Sequence, residues 1–225
     1  MTQAITLSSS AQGSVHAELA LPAGDALSGA MIVVHEWWGL NDDIRRIAND
    51  LAKEGYVALA IDLYGGRFTT DASEAMQLAN DMKTAEAMKI VAAGLEFLRG
   101  QPRSNGKVGI MGFCLGGGQA LAAASSVPGL RCAVPFYGLP IASFQTFGPE
   151  SPRILGHYSE SDAHVTPERT RALRDKAAAA GASFELHFYP GPHAFMRRAD
   201  PAAFHDASAT LAWSRTLEFL GRELQ

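Results

Sequence analysis

The sequence predicts an α/β fold in which a mostly parallel β-sheet is covered by helices on both faces. Short apolar runs alternate with longer amphipathic stretches along most of the chain, and several apolar runs are rich in β-branched residues. Several amphipathic stretches also begin or end at recognisable helix signals. No internal repeat or long linker divides the chain, so we expect residues 1–225 to form a single domain.

Six apolar runs have the length and composition of buried strands. Runs of this kind lie next to one another when amphipathic helices connect them, which favours parallel pairing. The predicted strands are Met31–Val34, Tyr56–Ile61, Lys107–Met111, Arg131–Phe136, Arg153–His157 and Ser183–Tyr189.

Three helix starts carry capping residues. Asn41 precedes two acids, Asp71 has Glu74 three residues later, and Thr166 is followed by a proline. The first of these helices should end at Gly55. The other predicted helices are Thr84–Leu98, one beginning around Gln119–Ala124, and a closing helix over Pro201–Leu220.

Composition narrows the class of protein. The chain has 225 residues, 19 Lys+Arg against 23 Asp+Glu and a net charge of −4, with 47% hydrophobic residues. These values are typical of a globular protein and predict no nucleic-acid or anionic-membrane surface. No secretory signal or membrane-length apolar stretch is visible, so we expect a cytoplasmic monomer or small homo-oligomer whose Cys114 and Cys132 remain thiols.

A glycine-rich segment, residues 112–118, joins a predicted strand to a predicted helix around Cys114. This context is typical of a nucleophile elbow, in which glycines permit a sharp turn and the nucleophile lies near a helix N-terminus. Two other interpretations are a buried cysteine and a phosphate-binding loop, although the Gly-Lys-Ser/Thr ending of a P-loop is missing. Cys132, inside a predicted strand, is assigned to the core.

The elbow predicts an acid and then a histidine later in the chain. Among the seven histidines, position favours His193, which lies in a turn just after a strand; His164 is the alternative. Asp162 is the predicted acid, with Glu160 as its competitor. Asp162 could instead serve only to form an Asx turn.

The loop after the first buried strand should supply an oxyanion-hole donor. The expected donors are the backbone N–H groups of Trp37 and Leu115. Glu36 lies beside them, where a carboxylate would oppose a developing negative charge. It could accept the thiol proton or be neutralised by Arg197 or Arg67.

Five segments together resemble the dienelactone hydrolase family, the cysteine branch of the α/β-hydrolases. They are VVHEWWGLN, AIDLYGG, MGFCLGGG, ESDAHVTPE and YPGPHAFMRR, in family order from about residue 15 to the C-terminus. The resemblance implies an α/β-hydrolase fold and a triad of Cys114, His193 and Asp162. It also implies that Glu36 pairs with an arginine at rest and swings toward the thiol when substrate arrives. The arginine of the family is matched by Arg197, which would pair with Glu36 or bind the carboxylate of the substrate.

One segment departs from the family pattern. Dienelactone enzymes carry a further arginine and a tyrosine after the DLY motif, which help to bind the substrate carboxylate, whereas residues 72–89 contain neither. Arg67 lies close by and is a candidate substrate contact, although it does not match that position. The chain has no room for a separate cap domain, so an open site is expected. Its predicted aromatic walls are Trp37, Trp38, Phe113, Tyr137 and Phe195.

The predicted function is hydrolysis of small esters or lactones, of the carboxymethylenebutenolidase type, through a thioester acyl-enzyme. Activated esters, including phosphotriesters, are expected as promiscuous substrates. No metal or organic cofactor is expected. Two alternatives are a non-hydrolytic domain with a redox-active Cys114 and a small-molecule-binding scaffold.

Overall fold

The structure, a computed structural model, describes residues 1–9 and 13–225 and contains one eight-stranded sheet. The strands are β1 (Gln3–Ser9), β2 (Gly13–Ala20), β3 (Ser28–Val34), β4 (Val57–Ile61), β5 (Ser104–Phe113), β6 (Cys132–Phe136), β7 (Arg153–Ser159) and β8 (Phe184–Tyr189). Their spatial order is β1-β2-β4-β3-β5-β6-β7-β8. Strands β3 to β8 run parallel to one another, and β2 pairs antiparallel with both β1 and β4. The predicted mostly parallel sheet is confirmed.

Helices cover both faces of this sheet, also as predicted. They are α1 (Asp42–Lys53), α2 (Ala72–Asp81), α3 (Thr84–Arg99), α4 (Leu115–Ser126), α5 (Pro167–Ala179) and α6 (Asp206–Leu224), with a 3₁₀ turn at Ala142–Phe144. Residues of α1 and α6 pack into one apolar cluster, and residues of α2 to α5 pack into a second on the opposite face. Because both faces are covered, β4 and β6 are buried along their whole length.

The three predicted helix caps are present. The side chains of Asn41, Asp71 and Thr166 each accept a hydrogen bond from the backbone N–H three residues later. Each bond satisfies a donor that the first helical turn leaves without a partner. These short-range signals therefore fix the starts of α1, α2 and α5.

Three elements, β1, β2 and α6, differ from the prediction. The antiparallel pair β1 and β2 is not among the predicted strands, because its pairing with β4 joins segments far apart in sequence. Helix α6 begins at Asp206, not Pro201. Its cap is the imidazole of His205, which accepts the N–H of Ser208, and a histidine is not one of the usual capping residues.

The parallel strands bring several loops to one edge of the sheet. The carboxyl ends of β3, β5, β7 and β8 lead directly into the segments that contain Glu36, Cys114, Asp162 and His193. Open parallel sheets bind ligands at this edge. No helix in the described ranges is long and apolar enough to cross a bilayer.

Candidate active site

Cys114 occupies a strained turn between β5 and α4. Its φ is 52°, a left-handed value that is rare for a residue with a side chain. A Cβ on Gly112 would collide with the carbonyl oxygen of Gly116, and a Cβ on Gly116 would come within 2.5 Å of the carbonyl oxygen of His35. The glycines are therefore required by close backbone packing around the cysteine.

The thiol, an imidazole and a carboxylate form a connected row. His193 Nε2 lies 3.2 Å from Cys114 Sγ, and His193 Nδ1 lies 2.5 Å from Asp162 Oδ2. The three groups come from the ends of β5, β8 and β7, as the chain order of an elbow predicts. The sulfur is thus within proton-transfer distance of a base whose second nitrogen is held by an acid.

Asp162 uses its two oxygens for different purposes. Oδ1 accepts the backbone N–H groups of His164 and Val165, at 2.8 and 2.9 Å, and Oδ2 faces His193. The Asx-turn interpretation and the acid interpretation therefore both describe this residue. The turn fixes the carboxylate so that its free oxygen meets the imidazole.

The row of contacts shifts the proton affinity of both partners. Burial opposes a charge on His193, but contacts with Asp162 and Cys114 outweigh it and raise the pKa of His193 to about 10. Burial acts against the Asp162 charge, but the His193 contact and the two backbone donors lower the pKa of Asp162 below its usual value. The carboxylate and the imidazolium therefore stabilise each other.

Glu36 lies buried beside this row. Burial raises the pKa of Glu36 to about 7, against the lowering effects of Arg197, His193 and Tyr137. The Tyr137 hydroxyl donates to Glu36 Oε1 at 3.2 Å, and Arg197 Nε lies 3.7 Å from Glu36 Oε2. The Arg197 contact is an ion pair longer than a hydrogen bond, so this carboxylate is held loosely on one side.

A buried histidine fixes the loop that carries Glu36. His35 Nε2 accepts the backbone N–H of Leu63 at 3.0 Å, so Nδ1 carries the proton and donates to the Glu36 carbonyl at 2.6 Å. Burial lowers the pKa of His35, which keeps the ring neutral as this pattern requires. The loops after β3 and β4 are consequently joined.

The backbone N–H groups of Trp37 and Leu115 are among those at the cavity for which the structure gives no backbone acceptor within residues 1–9 and 13–225. Trp37 lies in the loop after β3, and Leu115 is the first residue of α4. The Leu115 N–H also lies at the positive end of the helix dipole. These are the two donors expected from the sequence.

A cavity of about 640 Å³ opens over the sulfur. Three of the five predicted aromatic walls, Trp37, Trp38 and Tyr137, line it. The lining residues that the sequence did not indicate as walls include Met76, Leu139, Val165, Arg169, Asp200 and Ala203. They come from segments whose approach to the site depends on the tertiary fold, so no local signal marks them.

Three residues that were expected to contact the substrate do not line the cavity. Phe113 and Phe195 are almost wholly buried, Phe113 stacked on Phe136 at 4.7 Å between ring centroids. Successive strand residues point to opposite faces, so Phe113 enters the core below Cys114. Arg67 is exposed, pairs with Glu74 at 3.4 Å and does not line the cavity.

The alternatives to the predicted base and acid, His164 and Glu160, lie outside the contact row. The His164 ring lies 6.4 Å from the His193 ring, at the cavity wall, and Glu160 is exposed. Cys132 is fully buried, and burial raises the pKa of its thiol. In the described part of the chain, no three His, Cys, Asp or Glu side chains are grouped closely enough to hold a metal ion.

Comparison with known proteins identifies the family of the chain. The profile of the dienelactone hydrolase family matches residues 15–224. The chain belongs to the dienelactone hydrolase family. The resemblance seen in the motifs and the predicted α/β-hydrolase fold are thereby confirmed. Membership makes the chain a hydrolase of lactones or esters.

Individual members of the family align over nearly the whole chain. A carboxymethylenebutenolidase of a Pseudomonas species is 30% identical over 99% of this chain and 96% of its own. Carboxymethylenebutenolidase 1 of Cupriavidus pinatubonensis is 27% identical, over 98% and 97%. A Klebsiella pneumoniae structure assigned to the dienelactone hydrolases has a TM-score of 0.83 at 27% identity, covering 98% of this chain and 99% of that one.

Proposed function

We propose that Cys114, His193 and Asp162 hydrolyse small carboxylic esters or lactones through a thioester acyl-enzyme. The observation that carries the proposal is the contact row of thiol, imidazole and carboxylate, with separations of 3.2 and 2.5 Å. The carboxymethylenebutenolidase relatives are named for a lactone substrate, which supports lactones within this class.

In the first half-reaction, the Cys114 sulfur attacks the carbonyl carbon and a C–S bond forms. The resulting oxyanion accepts hydrogen bonds from the Trp37 and Leu115 N–H groups. The C–O bond then breaks, and the departing alkoxide takes a proton from His193 Nε2.

In the second half-reaction, neutral His193 removes a proton from water while the water oxygen attacks the thioester carbon. The C–S bond breaks, the carboxylic acid leaves, and the proton taken from water stays on His193 beside the regenerated Cys114 thiolate. Asp162 keeps His193 oriented and stabilises its charged form throughout.

Glu36 is proposed as the group that takes the thiol proton when a substrate enters and returns it to the Cys114 thiolate at the end of the cycle. The pKa of Glu36, about 7, lets this carboxylate exchange a proton near neutral pH. Its ion pair with Arg197, at 3.7 Å, is longer than a hydrogen bond and can therefore break at low cost. The Tyr137 hydroxyl donates to the same carboxylate, so its hydrogen bond would shift when Glu36 moves toward the thiol.

The cavity favours small, partly apolar substrates, since aromatic rings line it and its volume is about 640 Å³. A soft sulfur nucleophile in such a cavity is also proposed to accept activated esters, including phosphotriesters. We further propose that residues 1–225 act as one domain, as a cytoplasmic monomer or small homo-oligomer, with no nucleic-acid or membrane partner.

The test is the full time course of p-nitrophenyl acetate cleavage by wild type and by Cys114→Ala, with Cys132→Ala as matched control. Steady turnover that disappears only in Cys114→Ala is expected. A stoichiometric burst without turnover would instead favour a nucleophilic thiol with another role, such as redox chemistry. No reaction from folded wild-type protein would overturn the hydrolytic mechanism and favour a binding scaffold.

A further inference from the structure

The order of strands in the sheet divides the cavity into two ends. Cys114 follows β5, and His193 and Asp162 follow β8 and β7, which lie on one side of β5 in the sheet. On the other side lie β3 and β4, which lead into the loop of Trp38 and into α2. The base therefore contacts the sulfur from the β7–β8 end of the cavity, and the β3–β4 end is lined by a different set of residues.

The chemistry of ester cleavage determines which part of a substrate occupies each end. When the sulfur attacks, the carbonyl carbon carries three other groups: the oxyanion, the alcohol oxygen and the acyl carbon. The oxyanion faces the Trp37 and Leu115 N–H groups, and the alcohol oxygen must lie near His193 Nε2 to take its proton. The acyl carbon takes the remaining tetrahedral direction, away from the base and toward the β3–β4 end.

The wall at the β3–β4 end consists of apolar side chains. Trp38 and Met76 both line the cavity there, and the Trp37 ring lies 4.9 Å from the Trp38 ring. Met76, in α2, is 50% exposed. A half-exposed apolar side chain in a cavity wall loses contact with water when an apolar group enters, and this favours binding of that group.

Charged side chains of the lining lie mostly at the opposite end. Those that follow β7 or β8 are Arg169, Arg197 and Asp200. Arg197 reaches the Trp38 ring, at 4.4 Å, but Glu36 and Asp200 pair with it. A charged acyl group beside Met76 would therefore lose hydration and meet a cation that two carboxylates already occupy.

We propose that Met76 is a specificity-determining residue that, together with Trp38, forms a subsite for the acyl group of the substrate and selects a neutral, apolar acyl chain. The alcohol part of the substrate then lies toward β7 and β8. This inference rests on the proposed hydrolysis of esters or lactones and names the substrate class within it.

The test uses three aryl esters, of which 4-methylphenyl acetate is the reference. 4-Methylphenyl pentanoate adds three methylenes to the acyl group, and 4-butylphenyl acetate adds three methylenes to the alcohol group. Division of each extended ester's kcat/KM by that of the reference gives an acyl ratio and an alcohol ratio. The two alcohols are nearly equal in acidity, and both ratios are measured for wild type and Met76→Gln.

In wild type we expect the pentanoate to be cleaved more efficiently than the acetate. Met76→Gln should lower the acyl ratio about fivefold, because part of the apolar surface that covers the three methylenes is lost, and should leave the alcohol ratio within about twofold of wild type. Met76→Leu should keep the acyl ratio, since it keeps an apolar side chain of similar volume.

The matched control is Leu211→Gln. Leu211 is 47% exposed and also lies in a helix, α6, but this helix covers the other face of the sheet and Leu211 does not line the cavity. The control variant should leave both ratios unchanged.

An acyl ratio in Met76→Gln that stays within about twofold of wild type would overturn the inference. A fall of the alcohol ratio as large as that of the acyl ratio would also overturn it, because Met76 would then not distinguish the two parts of the substrate. Both results leave the hydrolytic function intact. If wild type cleaves none of these esters and no p-nitrophenyl acetate, the proposed function itself fails.

Discussion

The two cysteines lie next to neighbouring strands of one sheet, Cys114 just after β5 and Cys132 at the start of β6, but their surroundings are opposite. Cys114 follows the carboxyl end of β5, is partly exposed and lies 3.2 Å from an imidazole. Cys132 begins β6, is fully buried and has a thiol whose pKa is raised by burial. Residue type alone therefore does not distinguish the two thiols; their position relative to the strand ends and one contacting base do.

The largest expected effect comes from removing the acid behind the base. Asp162→Asn should lower kcat/KM about 10³- to 10⁴-fold, because an amide no longer holds His193 in the productive tautomer. Glu160→Gln, the same change at an exposed site two residues away, is the control. A loss smaller than tenfold in Asp162→Asn would contradict the role given to this acid.

Alkylation tests the contrast between the two thiols directly. In the native protein, iodoacetamide should modify Cys114 at least about a hundredfold faster than Cys132, because only the first is accessible and paired with a base. Mass spectrometry of peptides from a timed quench gives both rates. Comparable alkylation rates for the two thiols in the folded protein would contradict the difference in their surroundings. In denaturant, where both thiols are exposed, we expect equal rates.

The close packing around Cys114 predicts an effect on stability. Gly116→Ala should lower the free energy of unfolding by about 3 kcal/mol, because the added Cβ would collide with the carbonyl oxygens of Val34 and His35. Gly94→Ala, inside α3, is the matched control. There the nearest atom, on Leu59, lies 3.4 Å away, so helix propensity should make the change neutral or stabilising by up to about 1 kcal/mol.

Urea unfolding midpoints of both glycine variants measure this difference. Equal midpoints for Gly116→Ala and wild type would mean that the backbone near Cys114 can move apart without cost. The turn would then not be the rigid support that the contacts of Gly116 indicate.

The smallest expected effect concerns pH. The pKa of Glu36 is raised to about 7, so its ionised, proton-accepting form predominates above pH 7 and is lost as the pH falls below it. Wild-type kcat/KM should therefore fall about tenfold per pH unit below 7. In Glu36→Gln this limb should disappear and activity at pH 8 should fall about tenfold. An unchanged break near pH 7 in the variant would assign it to another group.

Sequence patterns predicted the parts of the fold that depend on neighbouring residues. Asn41, Asp71 and Thr166 act over three residues, and their caps are all present. The sequence predicts the start of α6 five residues too early, because His205 caps this helix through an imidazole, which is not a usual capping group. The β1–β2 pair could not be predicted in the same way, since its place at the sheet edge depends on contacts with distant β4.

The candidate site likewise has parts that the order of residues along the chain predicts and parts that depend on the tertiary fold. The order of nucleophile, acid and base along the chain selected Cys114, Asp162 and His193, which the structure brings together. The cavity walls depend on side-chain direction and helix approach. Phe113 therefore entered the core instead of the cavity, and Arg169 was not recognised.

The neutral His35 that joins the loops after β3 and β4 has a consequence for directed evolution. Its bonds to the Leu63 N–H and the Glu36 carbonyl make that side of the cavity one connected unit, so a replacement there changes two loops at once. Leu139, Arg169 and Ala203 reach the cavity from other segments. Libraries that vary these three positions change the cavity wall while the loop that carries Glu36 and Trp37 keeps its contacts with His35 and the loop after β4.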